Sequence, residues 1–251
     1  MHSAKLLAAV VTLVLLSALP TFCQTSSSQT PSAKPKSTTS TKPAASPYDR
    51  ALLKPALLKD TAPDTYEVKF ETTRGDFTVT VHRDWSPSGA DRFYNLVKHH
   101  YYDGARFFRV LPNFVVQFGM SAYPPVTAAW DKATINDDPV TQKNKRGTLT
   151  FAKTSMPNSR TTQIFINLKD NASLDSQGFA PFGVIEGNGM NVVEMMYDQY
   201  GDSAGMDQDA IAKGGEEYLA KRWPKLDTIK SITLVGGTAS STPTSKPAGK
   251  P

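Results

Sequence analysis

The stretch RFFRVLPNFVVQFG, residues 106–119, carries side chains that could recognise another molecule by hydrogen bonding and apolar contact. Arg109 stands in a segment that is otherwise fit for burial, and an arginine offers five permanently charged hydrogen-bond donors. Val115 and Gln117 lie two residues apart, so both point to the same face of a strand. The pattern therefore predicts one surface that offers an apolar contact and an amide.

A second stretch, TQIFINL at 162–168, repeats this combination. Gln163 and Phe165 share one strand face, while the aliphatic side chains share the other. If the aliphatic face fills the core, Phe165 points outward beside an amide, which makes a candidate recognition surface. Each residue also has an ordinary interpretation, because the arginine could be a surface residue with a packed stem and Phe165 could belong to the core.

The chain has few residues that could form disulfides, metal sites or phosphate-binding loops. The single cysteine, Cys23, excludes a disulfide framework and a cysteine-based zinc cluster. His99 and His100 are adjacent near a predicted helix end, so their side chains diverge and a surface position is favoured over a metal site. The glycines lie at predicted turns and do not form a phosphate-binding loop. We expect neither a metal nor a cofactor.

The elements that must position these residues are mostly strands. Alternating or continuous apolar runs predict eight of them. They are 65–72 and 75–82 as a hairpin, two strands in 106–120 broken at Pro112-Asn113, then 147–152, 162–168, 179–185 and 229–235. Apolar residues at helical spacing predict a helix that starts near Pro87, with Ser86 as N-cap, and a second helix over 191–197.

The remaining body is less regular. Residues 121–145 are polar and irregular, and 208–222 is compatible with a helix but contains Gly214-Gly215, which leaves its structure open. No strand–helix–strand alternation repeats. The predicted fold is mainly β, a closed eight-stranded antiparallel β-barrel capped by two α-helices.

Charge does not indicate a nucleic-acid partner. The chain has 251 residues and a formal net charge of +5. Six of its 28 basic residues lie in 1–47 and 237–251, which contain no acid, and this leaves 22 basic against 23 acidic residues in between. A nearly neutral body offers no electrostatic footprint for a phosphate backbone.

The first 23 residues are typical of a signal peptide. One lysine precedes an apolar run from Leu6 to Leu19, which as a helix would span about 21 Å, short of the roughly 30 Å hydrocarbon layer. We therefore predict no stable membrane span, cleavage after Cys23, and a periplasmic or extracellular location. A lipid anchor on Cys23 is the competing interpretation, disfavoured because Phe22 is bulky.

Composition divides the rest of the chain. Residues 24–47 contain 16 Ser, Thr or Pro out of 24 and predict a disordered linker, and 237–251 predict a tail of the same kind. Residues 48–61 are a transitional segment, and 62–236 form the predicted folded domain. We expect a monomer.

The ordered blocks of this body resemble the cyclophilin family of peptidyl-prolyl isomerases. The family pattern Phe-x-Arg-x-x-x-x-Phe-x-x-Gln-x-Gly is matched by Phe107-x-Arg109 followed by Phe114-x-x-Gln117-x-Gly119. Further matching blocks are Tyr102-Asp103-Gly104, Ala152, Gln163-Ile164-Phe165-Ile166, Leu174-Asp175 and Phe182-Gly183. The resemblance covers about 66–235.

Three positions depart from the family pattern. Val115 stands where the family usually has Met, Ser173 where it often has Trp, and Phe179 where it commonly has His. The tryptophan supports cyclosporin binding in the family, so Ser173 bears on sensitivity to that drug. The resemblance thus implies a cyclophilin with a divergent pocket.

The resemblance implies a peptidyl-prolyl cis–trans isomerase that binds proline-containing segments. Together with the predicted signal peptide, it implies that the protein helps exported proteins to fold. Arg109 would be the catalytic donor. The implied substrate-binding residues are Phe114, Val115, Gln117, Ala152, Lys153, Gln163, Phe165, Leu174 and Phe179. One alternative is a chaperone or scaffold module with little turnover that uses the same groove, and a weaker one is an exported hydrolase.

Overall fold

A computed structural model describes residues 46–236. The predicted signal peptide, almost all of the predicted linker and the predicted tail lie outside the described residues. The strands are β1 (Thr65–Thr72), β2 (Gly75–His82), β3 (Arg109–Leu111), β4 (Val115–Phe118), β5 (Thr148–Phe151), β6 (Ile164–Asn167), β7 (Pro181–Ile185) and β8 (Ile229–Val235). Each predicted strand is present.

The β1–β2 hairpin shows why these runs become strands. Alternate residues of β1 are buried, and the two strands pair in antiparallel register from Thr65 opposite His82 to Thr72 opposite Gly75. Phe70 and Phe77 face each other across this pair, with their ring centroids 4.6 Å apart. Cross-strand aromatic pairs of this kind stabilise a sheet and fix its register.

The eight strands form one antiparallel sheet in the order β3-β4-β6-β5-β7-β2-β1-β8. The sheet curls into a half-barrel, so the mainly β fold is confirmed, but the prediction of a fully closed barrel is wrong in detail. The end strands β3 and β8 do not pair as strands. Instead, the N–H groups of Gly104 and Phe107 donate to the carbonyls of Ile229 and Asp227 at 2.8 and 3.0 Å. Strand β3 is only three residues long, so the seam is made by the irregular chain before it.

The helices are α1 (Pro87–Lys98), α2 (Pro124–Trp130), α3 (Ser173–Ser176), α4 (Gly189–Val193) and α5 (Gln208–Arg222). Helix α1 starts where predicted, but Ser86 does not cap it with its side chain. The Asp138 carboxylate does so, accepting hydrogen bonds from the N–H groups of Ser88 and Gly89 and from the Ser86 hydroxyl. An aspartate that is distant in sequence thus replaces the local cap.

The other helices differ from expectation. The helix predicted at 191–197 is the shorter α4, and α2 lies in a stretch predicted to be irregular. Helix α5 forms in spite of its two glycines, with a kink at Gly215 (φ 55°). At that kink a Cβ atom would collide with the Ala122 carbonyl oxygen, so the chain needs glycine there. Among residues 46–236, no helix is long and apolar enough to cross a membrane.

The transitional segment 48–61 belongs to the folded body. Two 3₁₀ turns, Arg50–Leu53 and Pro55–Leu57, carry Leu52 into the main core, where it is 1% exposed. The indole N–H of Trp130 donates to the Leu52 carbonyl at 2.8 Å. The folded body therefore includes Leu52, which lies before residue 62, the predicted start of the domain.

Candidate active site

Strand register places three predicted site residues in one row. Arg109 on β3 pairs with Gln117 on β4, and Gln117 pairs with Phe165 on β6. Directly paired residues project to the same face of a sheet. The row therefore presents a cation, an amide and an aromatic ring on one surface, which faces away from the main core.

The alternation predicted for β6 is confirmed. Ile164 and Ile166 are fully buried in the main core, whereas Phe165 belongs to a separate apolar cluster on the opposite face. The same holds for β4, where Val116 lies in the main core and Val115 in the separate cluster. This cluster joins Val115, Phe165 and Leu174, with Phe114, Ala152 and Phe179 packed around it.

We call this cluster the apolar pocket. Its walls come from β4, from β6 and from the α3 loop, and six of the nine predicted substrate-binding residues lie in it. Phe165 and Phe179 meet edge to face with their ring centroids 5.6 Å apart. Such contacts hold aromatic rings in fixed orientations, so the pocket has a defined shape.

Amide side chains line the polar side of the site. Nη1 of Arg109 donates to Oε1 of Gln117 at 3.2 Å, and Nε2 of Gln117 donates to Oε1 of Gln163 at 2.8 Å. Gln163 in turn donates to Oε1 of Gln208 at 2.8 Å. Arg109 and the two predicted glutamines thus form one hydrogen-bonded chain along the edge of the pocket.

Arg109 stands between the pocket and an acidic partner. Its Cζ lies 5.9 Å from the centre of the Phe114 ring, and its side chain is 27% exposed. Its Nε donates to the carboxylate of Asp202. Within the described chain, Nη2 of Arg109 makes no hydrogen bond, so it remains able to donate to a ligand.

Ala152 and Lys153, two of the predicted substrate-binding residues, border the pocket in different ways. The Ala152 N–H donates to the Gln163 carbonyl at 2.9 Å, so only the Ala152 carbonyl is left to position a peptide. Nζ of Lys153 lies 5.7 Å from the centre of the Phe179 ring and 3.9 Å from an oxygen of Asp137. The Lys153 ammonium group thus lies over one wall of the pocket.

A buried asparagine fastens the α3 loop to the sheet. The side-chain amide of Asn144 donates to Asp175 and to the Phe179 carbonyl, both at 2.9 Å, and its oxygen accepts from Thr150 at 3.0 Å. Burial raises the pKa of Asp175, but hydrogen bonds from Asn144 and the charge of Lys143 outweigh it, so this pKa lies below its usual value. The carboxylate therefore holds the loop in its charged form.

The histidines do not meet in one site. His99 Nδ1 lies 2.6 Å from an Asp49 oxygen, His100 Nδ1 lies 3.1 Å from Asp103, and His82 stacks on Trp85. Among residues 46–236, no cluster of three or more His, Cys, Asp or Glu side chains is placed to hold a metal ion. The chemistry available at the pocket is hydrogen-bond donation beside an apolar hollow.

The comparisons with known proteins decide the family. The model of the cyclophilin-type peptidyl-prolyl cis–trans isomerases matches residues 67–215. The chain belongs to this family. Cyclophilins are isomerases of X-Pro peptide bonds, so this protein is an isomerase whose ligands are proline-containing peptides.

Two curated relatives are bacterial isomerases. The chain is 36% identical over 170 residues to a peptidyl-prolyl cis-trans isomerase of Acinetobacter baylyi, covering 65% of this chain and 88% of the relative. It is 31% identical over 149 residues to isomerase B of Escherichia coli K12, covering 57% and 90% of the two chains. A solved cyclophilin of Cryptosporidium parvum shares the fold with a TM-score of 0.50 at 20% identity, covering 68% and 98%.

The sequence did not point to three residues that lie at this candidate site. Asn144 and Gln208 are ordinary polar residues in stretches without apolar periodicity. Asp202 is one of several acids in an irregular segment, and no spacing relates it to Arg109. Asp202 and Gln208 are placed by long-range packing of the α5 region, and Asn144 by hydrogen bonds to Asp175, Phe179 and Thr150, which no local pattern reveals.

Proposed function

We propose that Arg109 catalyses X-Pro isomerisation in this cyclophilin by donating a hydrogen bond to the twisted amide. One observation carries the proposal: Arg109 stands at the edge of the apolar pocket, 5.9 Å from the Phe114 ring, with Nη2 making no hydrogen bond inside residues 46–236. A charged donor thus borders an apolar hollow that a proline ring can fill.

The reaction needs this donor and little else. Rotation about a peptide bond has a barrier of about 18–20 kcal/mol, because the C–N bond is partly double. The two X-Pro isomers differ by only about 0.5–1 kcal/mol, so no energy source is required. In the twisted state the lone pair returns to the proline nitrogen. A donor aimed at that nitrogen binds the transition state better than either planar form, which is the condition for catalysis.

The remaining residues would hold the substrate. Val115, Phe165 and Leu174 would contact the proline ring, with Phe114 and Phe179 closing its sides. Gln117 has given one amide hydrogen to Gln163, and its second hydrogen would donate to a substrate carbonyl. With the ring fixed, the carbonyl before proline is free to swing.

The test compares cis–trans isomerisation of an Ala-Pro-Phe reporter peptide by wild type and by Arg109→Ala. We expect kcat/KM to fall about 100-fold, the loss typical of removing one preorganised donor. Arg146→Ala is the matched control, because Arg146 forms a surface ion pair with Glu194 outside the pocket. Equal rates for wild type and Arg109→Ala would remove Arg109 from this role.

A second candidate function is capture of proline segments with little turnover, as a chaperone or scaffold. The Asp202 carboxylate favours this function, because it pairs with the charge of Arg109. Val115, Ser173 and Phe179 favour it too, because cyclophilins usually carry other residues at these three positions. Tight binding of a proline peptide to wild type with no rate above background would support this function over catalysis.

We also propose that the protein acts on exported proteins, in the periplasm or outside the cell. The support is the apolar run Leu6 to Leu19 after a single lysine. Sequencing the N-terminus of protein recovered from the periplasm or medium should place the cut after Cys23. A mature chain that starts at a lipid-modified Cys23 would support the anchored alternative, and an uncut cytoplasmic chain would contradict export.

A further inference from the structure

Residues 201–222, which we call the α5 segment, pack beside the catalytic face. Their apolar side chains form a cluster of their own with the start of the β3–β4 hairpin. Its buried members are Phe108, Met120, Ala204, Ile211, Leu219 and Leu226. The segment is therefore fixed against the chain next to Arg109 by a small core independent of the main one.

Asp202 reaches Arg109 from this segment. Its carboxylate accepts the hydrogen bond from Nε of Arg109, and Gly205 lies directly against the arginine stem. A Cβ atom on Gly205 would lie 3.1 Å from the Cβ of Arg109 and 3.3 Å from the Phe108 ring. The glycine thus permits the close approach that brings Asp202 to the guanidinium.

The same segment holds the other end of the amide chain. Oε1 of Gln208, the first residue of α5, accepts the hydrogen bond from Gln163. The sequence of contacts Asp202–Arg109–Gln117–Gln163–Gln208 therefore starts and ends on the α5 segment. A network whose two ends are fixed to one packed segment restricts the orientation of every group between them.

The ion pair between Asp202 and Arg109 orients the guanidinium more than it stabilises the fold. The Asp202 side chain is 56% exposed, and exposed ion pairs contribute little to folding. For a donor that must meet a transition state, however, orientation decides the rate. Asp202 fixes Nε and Gln117 fixes Nη1, so the guanidinium plane is set and Nη2 keeps its hydrogens for substrate.

We infer that Asp202 is a positioning residue for Arg109, and that the α5 segment orients the catalytic donor of this isomerase. The inference rests on the proposed role of Arg109. If Asp202 only neutralised Arg109, it would slow catalysis, and removing it would raise kcat. If Asp202 orients Arg109, removing it lowers kcat. The two interpretations predict opposite changes in rate.

The test measures kcat and KM of Asp202→Ala and Asp202→Asn with the reporter peptide. We expect kcat of Asp202→Ala to fall about three- to tenfold with KM within twofold and the melting temperature unchanged. Asp202→Asn keeps an oxygen acceptor for Nε, so it should recover much of this loss. In Arg109→Ala the added Asp202→Ala change should have no further effect, because the two residues act through one group.

Glu194→Ala is the matched control, since Glu194 forms an ion pair of similar exposure with Arg146 and should leave kcat unchanged. An Asp202→Ala enzyme with wild-type or higher kcat would overturn the inference, and a higher value would make Asp202 a competitor of substrate. A wild type without activity would instead contradict the proposed catalytic function, so the two failures are distinguishable.

Discussion

Arg160 is a buried cation whose ion pairs with two aspartates stabilise this fold. The Arg160 side chain is 2% exposed, and its charge is balanced by Asp138 at 2.9 Å and by Asp137 at 3.6 Å. Asp138 also accepts from Ser86 and caps α1. Burial raises the pKa of Asp138, but the Ser86 hydrogen bond and the Arg160 charge outweigh it, so the pKa is lowered. One carboxylate thus connects a helix start to a buried cation.

The variant Asp138→Ala should be strongly destabilised. It leaves a buried arginine with one poorly aligned carboxylate and removes the acceptor for two N–H groups of α1. Breaking a buried pair from one side typically costs about 3–5 kcal/mol, and we expect a loss near the lower end in urea-induced unfolding.

Asp76→Ala is the control for this variant, because Asp76 pairs with Lys69 at an exposed position. We expect Asp76→Ala to lose less than about 1 kcal/mol. If the two variants lost similar amounts of the free energy of unfolding, the buried cluster around Arg160 would contribute no more to stability than an exposed ion pair.

At the scale of elements, the contact between β4 and β6 positions the site. Gly119 ends β4 with φ 116°, a conformation that side chains disfavour. A Cβ atom there would lie 2.6 Å from the Cα of Gln163 and would collide with the Thr162 carbonyl. Only glycine lets the two strands come close enough for Gln117 to reach Gln163.

We therefore expect Gly119→Ala to push β4 from β6. The free energy of unfolding should fall by about 2–3 kcal/mol from backbone strain and collision. Because the Gln117–Gln163 hydrogen bond would break, kcat/KM for the reporter peptide should fall as well.

The matched variant for Gly119→Ala is Gly187→Ala. Gly187 also has positive φ, 52°, but apart from its own chain neighbours no atom of the described residues lies within 4 Å of the position that a Cβ would take. In Gly187→Ala the free energy of unfolding should fall by about 1 kcal/mol, from backbone strain alone, and activity should be unchanged. If Gly119→Ala behaved like Gly187→Ala, close strand approach would not position the site.

The strands and the pocket could be predicted from the sequence because period-two alternation is a local property. Phe165 could be assigned to the outer face in this way, since it alternates with the core residues Ile164 and Ile166. The α5 segment could not, because its apolar residues form only a small cluster and its glycine kink depends on the distant Ala122 carbonyl. The partner of Arg109, Asp202, comes from this unpredicted part.

The same distinction applies to the whole molecule. Composition predicts that the folded domain starts at residue 62, but it cannot predict that Leu52, in the segment before it, packs into the main core. The half-barrel seam at 104–107 could not be predicted either, because its hydrogen bonds to 227–229 join chain segments more than a hundred residues apart. Local pattern identifies elements, and long-range contacts decide where they end.

Carboxylates scattered over the molecule should make it sensitive to acid. The pKa values of Asp138 and Asp175 are lowered in the folded state, as are those of Asp49, Asp60 and Glu71, whereas burial raises that of Asp103. A carboxyl with a lowered pKa binds fewer protons when folded than when unfolded, so its stabilisation is present above the unfolded value near 4 and is lost as pH falls through the folded value.

We expect the free energy of unfolding to be nearly constant from about pH 7 to 5 and to fall progressively below about pH 4, measured by urea denaturation at each pH. Asp103 acts in the opposite direction, but it is one group against five. Asp175→Asn should flatten the acid limb of the profile, because the amide does not titrate. It should also lower stability at pH 7, because the neutral amide loses the charge that strengthens the two hydrogen bonds from Asn144 and attracts Lys143. A wild-type profile that stayed flat or rose below pH 4 would mean that these carboxylates do not hold the fold through their charge.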